Sequence, residues 1–195
     1  MNDENTRVGI QDAGGTAFLI TGLPAAGKTT LGTALAAELA SRLGRQVTLL
    51  DGDEVRKLLS SELGYSREHR RLNVLRHAYI AAEIARHGGI AICSLIAPYD
   101  ADRTEMRRRV ARYGNFVEIY LSTPLTECER RDPKGLYARA RAGQLPHMTG
   151  IDDPYEPPRQ PELELNGARL TVAESVEKVI AFLLKTAPAR TARGA

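Results

Sequence analysis

The chain has 195 residues, is 43% hydrophobic and carries a formal net charge of +3. That length fits one α/β domain, and with no Trp and only 5% aromatic residues the core must be built from Ala, Leu, Ile and Val. So slight a positive excess argues against nucleic-acid binding, no stretch approaches a membrane span, and two cysteines without metal-ligand spacing, Cys93 and Cys128, fit a reduced, cytoplasmic setting.

Residues 1–14 are polar and lack an apolar h-region, which predicts a flexible leader rather than a signal peptide. TAFLIT (16–21) reads as a buried strand and residues 29–43 as an alanine-rich helix. QVTLLD (46–51) is a second strand, DEVRKLLSS a short helix, and residues 67–87 a longer one. GIAICSLI (89–96) is a third strand, residues 101–113 a helix, and FVEIYLS (116–122) a fourth strand. Strands alternating with helices predict a mostly parallel sheet covered on both faces. On the long helix, Leu72, Leu75, Ala78, Tyr79 and Ala82 are expected to pack on the sheet, with Arg70, Asn73 and His77 on the opposite, polar face. The run Arg107-Arg108-Arg109 reads as a solvated helix face.

The stretch 131–161 breaks the rhythm: it is basic at first, then rich in Pro and Gly. With a short amphipathic piece at 134–142, it is expected to be a lid over about 132–153. Its shortage of apolar anchors predicts mobility without ligand. Residues 171–185 form a closing helix and 187–195 a frayed tail, which leaves one domain over 15–186.

GLPAAGKTT (22–30) has the form G-x-x-x-x-G-K-T and lies between a strand and a helix, the setting of a phosphate-binding loop. The expected architecture is therefore a three-layer phosphate-loop NTPase fold with a lid. Gly22, Leu23, Pro24, Ala25, Ala26, Gly27, Lys28, Thr29 and Thr30 would wrap the phosphates of ATP, with backbone N–H groups and the helix N-terminus facing the anion. Lys28 would reach the transferring phosphate, and Thr29 would ligate Mg2+ through its hydroxyl. A second oxygen donor is sought in LLDGDEVR. Asp51 ends a strand and is expected to be structural. Asp53 opens the next helix, where it is either a helix cap or a group that holds the metal, through water, and accepts a proton from an attacking hydroxyl. Arg56 follows three residues later, and Arg56 with Arg70 offers forked donors for an anion.

At this point the residues resemble the adenosine 5′-phosphosulfate (APS) kinase family, also called adenylylsulfate kinases. The matching text is GLPAAGKTT, LDGDEVR, LGYSREHRRLNVLR, IAPYDADR, ERRDPKGLYARARAG and TGIDDPYEPP, in order over roughly residues 15–185. The phosphate loop is generic, whereas RDPKGLYARARAG with TGID is specific to this family. The resemblance implies transfer of the ATP γ-phosphate to the 3′-hydroxyl of APS, giving PAPS, the activated sulfate donor for sulfate assimilation, for sulfation of a metabolite, or for both. It places APS against Asp53, Arg56, Tyr65, Arg70, Asn73, Lys134 and Met148, the ATP adenine against Arg131, and Lys28 and Asp53 in the chemistry. It also implies a homodimer.

The chain departs from the family's usual text in four places. Tyr65 stands for a Phe and keeps a ring to stack on adenine, while Met148 replaces a Phe and softens an aromatic contact. Pro24-Ala25 replaces Ser-Gly, and Pro24 has no N–H to donate. Ala97 replaces the serine of FISPY, a serine associated with a phosphoenzyme, so direct in-line transfer is the route this chain leaves open. Two alternatives remain at this level: a phosphate-loop kinase for a related 5′-nucleotide analogue, and a non-catalytic nucleotide-binding sensor.

Overall fold

The computed structural model describes residues 14–186, so the leader, apart from Gly14, and the tail lie outside it. Five parallel strands form one sheet: β1 (Thr16–Gly22), β2 (Val47–Asp51), β3 (Ile90–Ser94), β4 (Asn115–Leu121) and β5 (Leu163–Leu165), in the order β2-β3-β1-β4-β5. The helices are α1 (Lys28–Leu43), α2 (Gly52–Leu58), α3 (Arg67–Arg86), α4 (Asp100–Val110), α5 (Leu125–Arg131), α6 (Leu136–Arg141) and α7 (Val172–Thr186). The four expected strands and the expected helices are present. β5 and α5 are additions that the sequence pattern does not announce.

Alternation along β1 explains the three layers, because successive side chains of a strand point to opposite faces. Phe18 and Ile20 face one way and join Leu31, Leu35 and Leu39 of α1 and Val179 and Ile180 of α7. Ala17 and Leu19 face the other way and join Val74, Ala78, Ala81 and Ala85 of α3 with Met106 and Val110 of α4. The core is aliphatic, as the composition requires. Cys93 lies buried in the second cluster, where burial pushes its thiol up to about 12 and leaves it inert.

Helix ends are set locally. The carboxylate of Asp51 accepts from the backbone N–H groups of Asp53 and Glu54 and so caps α2. The cap is thus Asp51 and not Asp53. Thr171 and Glu174 form a reciprocal capping box at the start of α7.

Three expectations are corrected. On α3, Leu72 and Tyr79 are exposed, and the buried face carries Arg70, Asn73 and His77 in line with Val74, Ala78, Ala81 and Ala85. Polar residues close to the strand ends line a site there, while the outer apolar ones cover only solvent-facing surface. Second, Arg107 does not simply face water: it donates to Glu162 at 2.7 and 2.8 Å and to Glu118 at 3.2 Å, tying α4 to β4, whereas Arg108 and Arg109 pair with Glu105 on the surface. Third, the lid has apolar anchors. Tyr137 and Met148 are buried in the α1-side core, with Leu136, Leu145 and Ile151 packed against it.

Candidate active site

The strand order reverses at β1, whose neighbours β3 and β4 both come later in the chain, and ligands bind at such a switch point beyond the strand carboxyl ends. The loop after β1 occupies that crevice. Gly22 and Gly27 take positive φ (150° and 105°), and Ala25 adopts the left-handed region at 59°. The loop's carbonyls are turned inward and held there. Tyr137 Oη donates to Pro24 O at 3.0 Å, Thr123 Oγ1 donates to Ala26 O at 3.0 Å, and Lys28 Nζ donates to Gly22 O at 3.0 Å and Leu23 O at 2.7 Å. With the carbonyls engaged, the loop presents its N–H side to an anion. Lys28 as a residue is partly exposed, but its ammonium is folded under the loop, and that burial lowers its pKa to about 8 against the smaller opposing pull of Cys128, Asp53 and Asp51.

Thr29 follows Lys28 in the first turn of α1. Its hydroxyl donates to Asp51 Oδ2 at 2.7 Å, so one carboxylate both caps α2 and holds the hydroxyl that follows the loop lysine. Among the described residues no cluster of three His, Cys, Asp or Glu side chains is placed to hold an ion. Magnesium does not require one, since it keeps several waters and takes one or two protein oxygens together with substrate phosphates. Thr29 and Asp51, with Asp53 two residues on, are hard oxygen donors of that kind. The Asp53 carboxylate is 60% exposed and forms an ion pair with Lys134 of the lid.

The other wall comes from α2, α3 and the lid. The Arg56 guanidinium lies 4.7 Å and that of Arg70 5.5 Å from the centre of the Tyr65 ring. Both arginines are partly committed to the protein. Arg56 Nη1 donates to Leu63 O and Gly64 O, and Arg70 donates to Tyr65 O at 2.9 Å and to His147 O at 2.6 Å. Burial lowers the pKa of Arg70, and Asp153, 3.8 Å away, opposes that shift. Asn73 is buried with its Oδ1 unpartnered, and His77 bonds back to Asn73 O at 2.8 Å. Since a carbonyl only accepts, His77 Nδ1 carries the proton, and burial lowers the His77 pKa so that the ring is neutral.

These walls enclose one cavity of about 900 Å³. Of the residues proposed from sequence, Pro24, Ala25, Gly27, Lys28, Thr29, Thr30, Asp53, Arg56, Tyr65, Arg70, Asn73, Arg131, Lys134 and Met148 line it. Gly22, Leu23 and Ala26 do not; they form the inner side of the loop. Leu23 instead meets Gly150, where an added Cβ would come within 2.8 Å of its side chain. Arg131 lies at the loop's far side, bonded to Gly167 O at 2.6 Å and to Glu127 at 2.7 Å. Sequence reasoning missed Thr123 and Tyr137, which hold the loop from outside it. Tyr137 is legible only as part of GLYARAR, and nothing marks Thr123 in the text.

The comparisons with known proteins agree with this geometry. The adenylylsulphate kinase family profile matches residues 14–166. The adenylyl-sulfate kinase of Synechococcus sp. (strain JA-3-3Ab) is 47% identical over 169 residues, covering 87% of this chain and 94% of that protein. Among solved structures, the Mycobacterium tuberculosis APS kinase in complex with AMPPNP and APS superposes with a TM-score of 0.83 at 37% identity, covering 87% of this chain and 97% of that one. The hexameric APS kinase from Thiobacillus denitrificans gives 0.71 at 38% identity, covering 92% of this chain and 31% of that one. With a profile match across most of its length and a relative at 47% identity, the chain belongs to the adenylylsulfate kinase family.

Proposed function

We propose that this chain is an adenylyl-sulfate kinase that transfers the γ-phosphate of ATP to the 3′-hydroxyl of APS, giving PAPS and ADP within one ternary complex. The observation that carries this reading is the single cavity that the phosphate loop shares with Arg56, Tyr65, Arg70 and Asn73. Loop N–H groups and Lys28 would grip the triphosphate and hold its developing charge. Tyr65 would stack on the acceptor's adenine, and the donors of Arg56 and Arg70 not spent on carbonyls would meet its anionic end. Magnesium, held through Thr29 with Asp51 and Asp53, would supply charge neutralisation at the phosphate oxygens.

In the transfer, the acceptor's 3′-oxygen bonds to the γ-phosphorus while the bond to the β,γ-bridging oxygen breaks, and the hydroxyl proton passes to Asp53. Lys134 of the lid pairs with that carboxylate. Ala97 lines the cavity and has no hydroxyl to carry a phosphate, which supports direct transfer. The described residues 15–186 would form one functional unit with a lid over 132–153. The family resemblance extends the proposal to a homodimer.

The test is a coupled assay with Mg-ATP and APS, against AMP and other 5′-nucleotides as acceptors. APS-dependent ADP release supports the reading, and equal turnover of AMP sinks it. Asp53→Asn should collapse kcat with an unchanged melting curve, because the cap of α2 is Asp51. Retained activity would move the base to Asp51. Labelled ATP supplied without acceptor should leave no ³²P on the protein.

A further inference from the structure

Leu95, Ile96, Ala97 and Pro98, from the turn between β3 and α4, form part of the cavity wall, and that turn is held in an unusual shape. Ala97 has φ of 41°, in the left-handed region that an Ala visits at a cost. Three consecutive carbonyls of this turn are bonded away from the cavity. Ile96 O accepts from Thr21 Oγ1 at 2.5 Å, Ala97 O from Arg103 Nη1 at 2.9 Å, and Pro98 O from the backbone N–H of Glu156 at 2.8 Å. Thr21 has spent its one hydroxyl proton on Ile96, so the Tyr155 hydroxyl, 3.0 Å away, donates to Thr21 from behind.

Arg103 is the charged member of this support. It is 2% exposed, and no part of it lines the cavity. Its Nε lies 2.9 Å from Glu118 Oε1, its Nη2 donates to Asp100 Oδ1 at 3.1 Å, and its guanidinium lies 6.0 Å from the Tyr155 ring centre. A buried ion pair is a weak source of net stability, so its presence at this place calls for another account. The account is electrostatic. An exposed carbonyl oxygen presents partial negative charge, and a turn whose carbonyls face the protein interior presents none of it to the cavity. That is the condition under which a multiply charged anion approaches the turn without repulsion.

We propose that Arg103 is a positioning residue for the acceptor: by holding the Ala97 carbonyl inward it fixes the left-handed turn and keeps this wall free of acceptor oxygens. Ala97 packs with Val74 and Leu95, next to Asn73 on α3, so the effect falls on the APS side of the cavity and not on the ATP side. The inference rests on the kinase reading for the identity of the acceptor.

Removing Arg103 alone takes one of its two arginine partners from the buried Glu118 and leaves it only Arg107, so the test uses Arg103→Met with Glu118→Gln. Binding of APS to the protein–ADP complex is measured by calorimetry, separately from turnover, together with ADP affinity and Tm. APS affinity should fall about tenfold or more, the step a lost charge-assisted contact produces, while ADP affinity stays within about twofold. Adding Ala97→Gly, which favours positive φ without help, should recover part of the loss. Unchanged APS binding in the folded double variant, an equal fall in ADP affinity, or no relief from Ala97→Gly would each overturn the proposal. APS that binds to the wild type without being phosphorylated would instead overturn the kinase reading and leave Arg103 testable.

Discussion

In the free enzyme the Lys28 ammonium rests on the carbonyls of Gly22 and Leu23, and burial lowers its pKa to about 8 from 10.5. Between those values the unfolded chain holds this proton and the folded chain has released it. The unfolded state then binds more protons, so folded stability rises with pH across the window, and below pH 8 the full cost of the buried charge is present. Wild type should therefore gain about 2 kcal/mol on Lys28→Ala between pH 8 and pH 10, after allowance for solvent reaching the rest of the side chain. Denaturant unfolding of both proteins at the two pH values checks this, and parallel pH slopes would refute it. A bound polyphosphate favours the charged form, so ADP affinity should weaken as pH rises above 8. The same substitution should lower kcat by about 10²-fold or more if, as proposed, the ammonium stabilises the transferring phosphate.

The lid shows how an element can be recognised and its attachment misjudged. RDPKGLYARARAG breaks the strand–helix rhythm, and the structure brings its Lys134, Leu136 and Arg139 to the cavity wall. Its order is not legible in the sequence, because Tyr137 anchors α6 through a hydroxyl bond to Pro24, across 113 residues of sequence that no local pattern connects. Tyr137→Phe removes that bond and should cost about 1 kcal/mol. Cleavage by trypsin after Arg139 should be slow in the wild type, faster in the variant, and suppressed in both by ADP with APS. Equal rates in the two free proteins would show that the hydroxyl does not hold the lid. α3 carries a similar lesson. Its length and helicity follow from its caps and periodicity, yet its buried face is chosen by the site that Arg70 and Asn73 line, with His77 buried behind Asn73, and that choice is made by tertiary position. β5 is three residues long, too short for alternation to signal it.

At the scale of the molecule, β1 to β4 were legible because buried parallel strands read as continuous apolar runs, and the phosphate loop because its glycines and lysine have fixed spacing. Assembly was not legible from residues, and the exposed side chains bear on it. Leu58 (80% exposed), Leu59, Leu72 and Tyr79 (61%) stand uncovered at the end of α2 and on the outer side of α3. Light scattering should give twice the chain mass if the chain is a homodimer. Tyr79→Glu with Leu72→Glu should yield a monomer of unchanged Tm if that surface is the contact. A monomeric wild type would remove the dimer from the proposal.

The strand order has a further consequence for synthesis. Of the described strands β1 leaves the ribosome first, yet both of its neighbours in the sheet are made much later, β3 from residue 90 and β4 through residue 121. A nascent chain that ends before β4 has a phosphate loop with one flank open and neither Thr123 nor Tyr137 to turn its carbonyls inward. The central strand waits, unpaired on both edges until β3 is made and on one edge until β4 is, for long-range partners whose closure is slow. The window in which a chaperone would engage this protein lies between the emergence of β1 and that of β4.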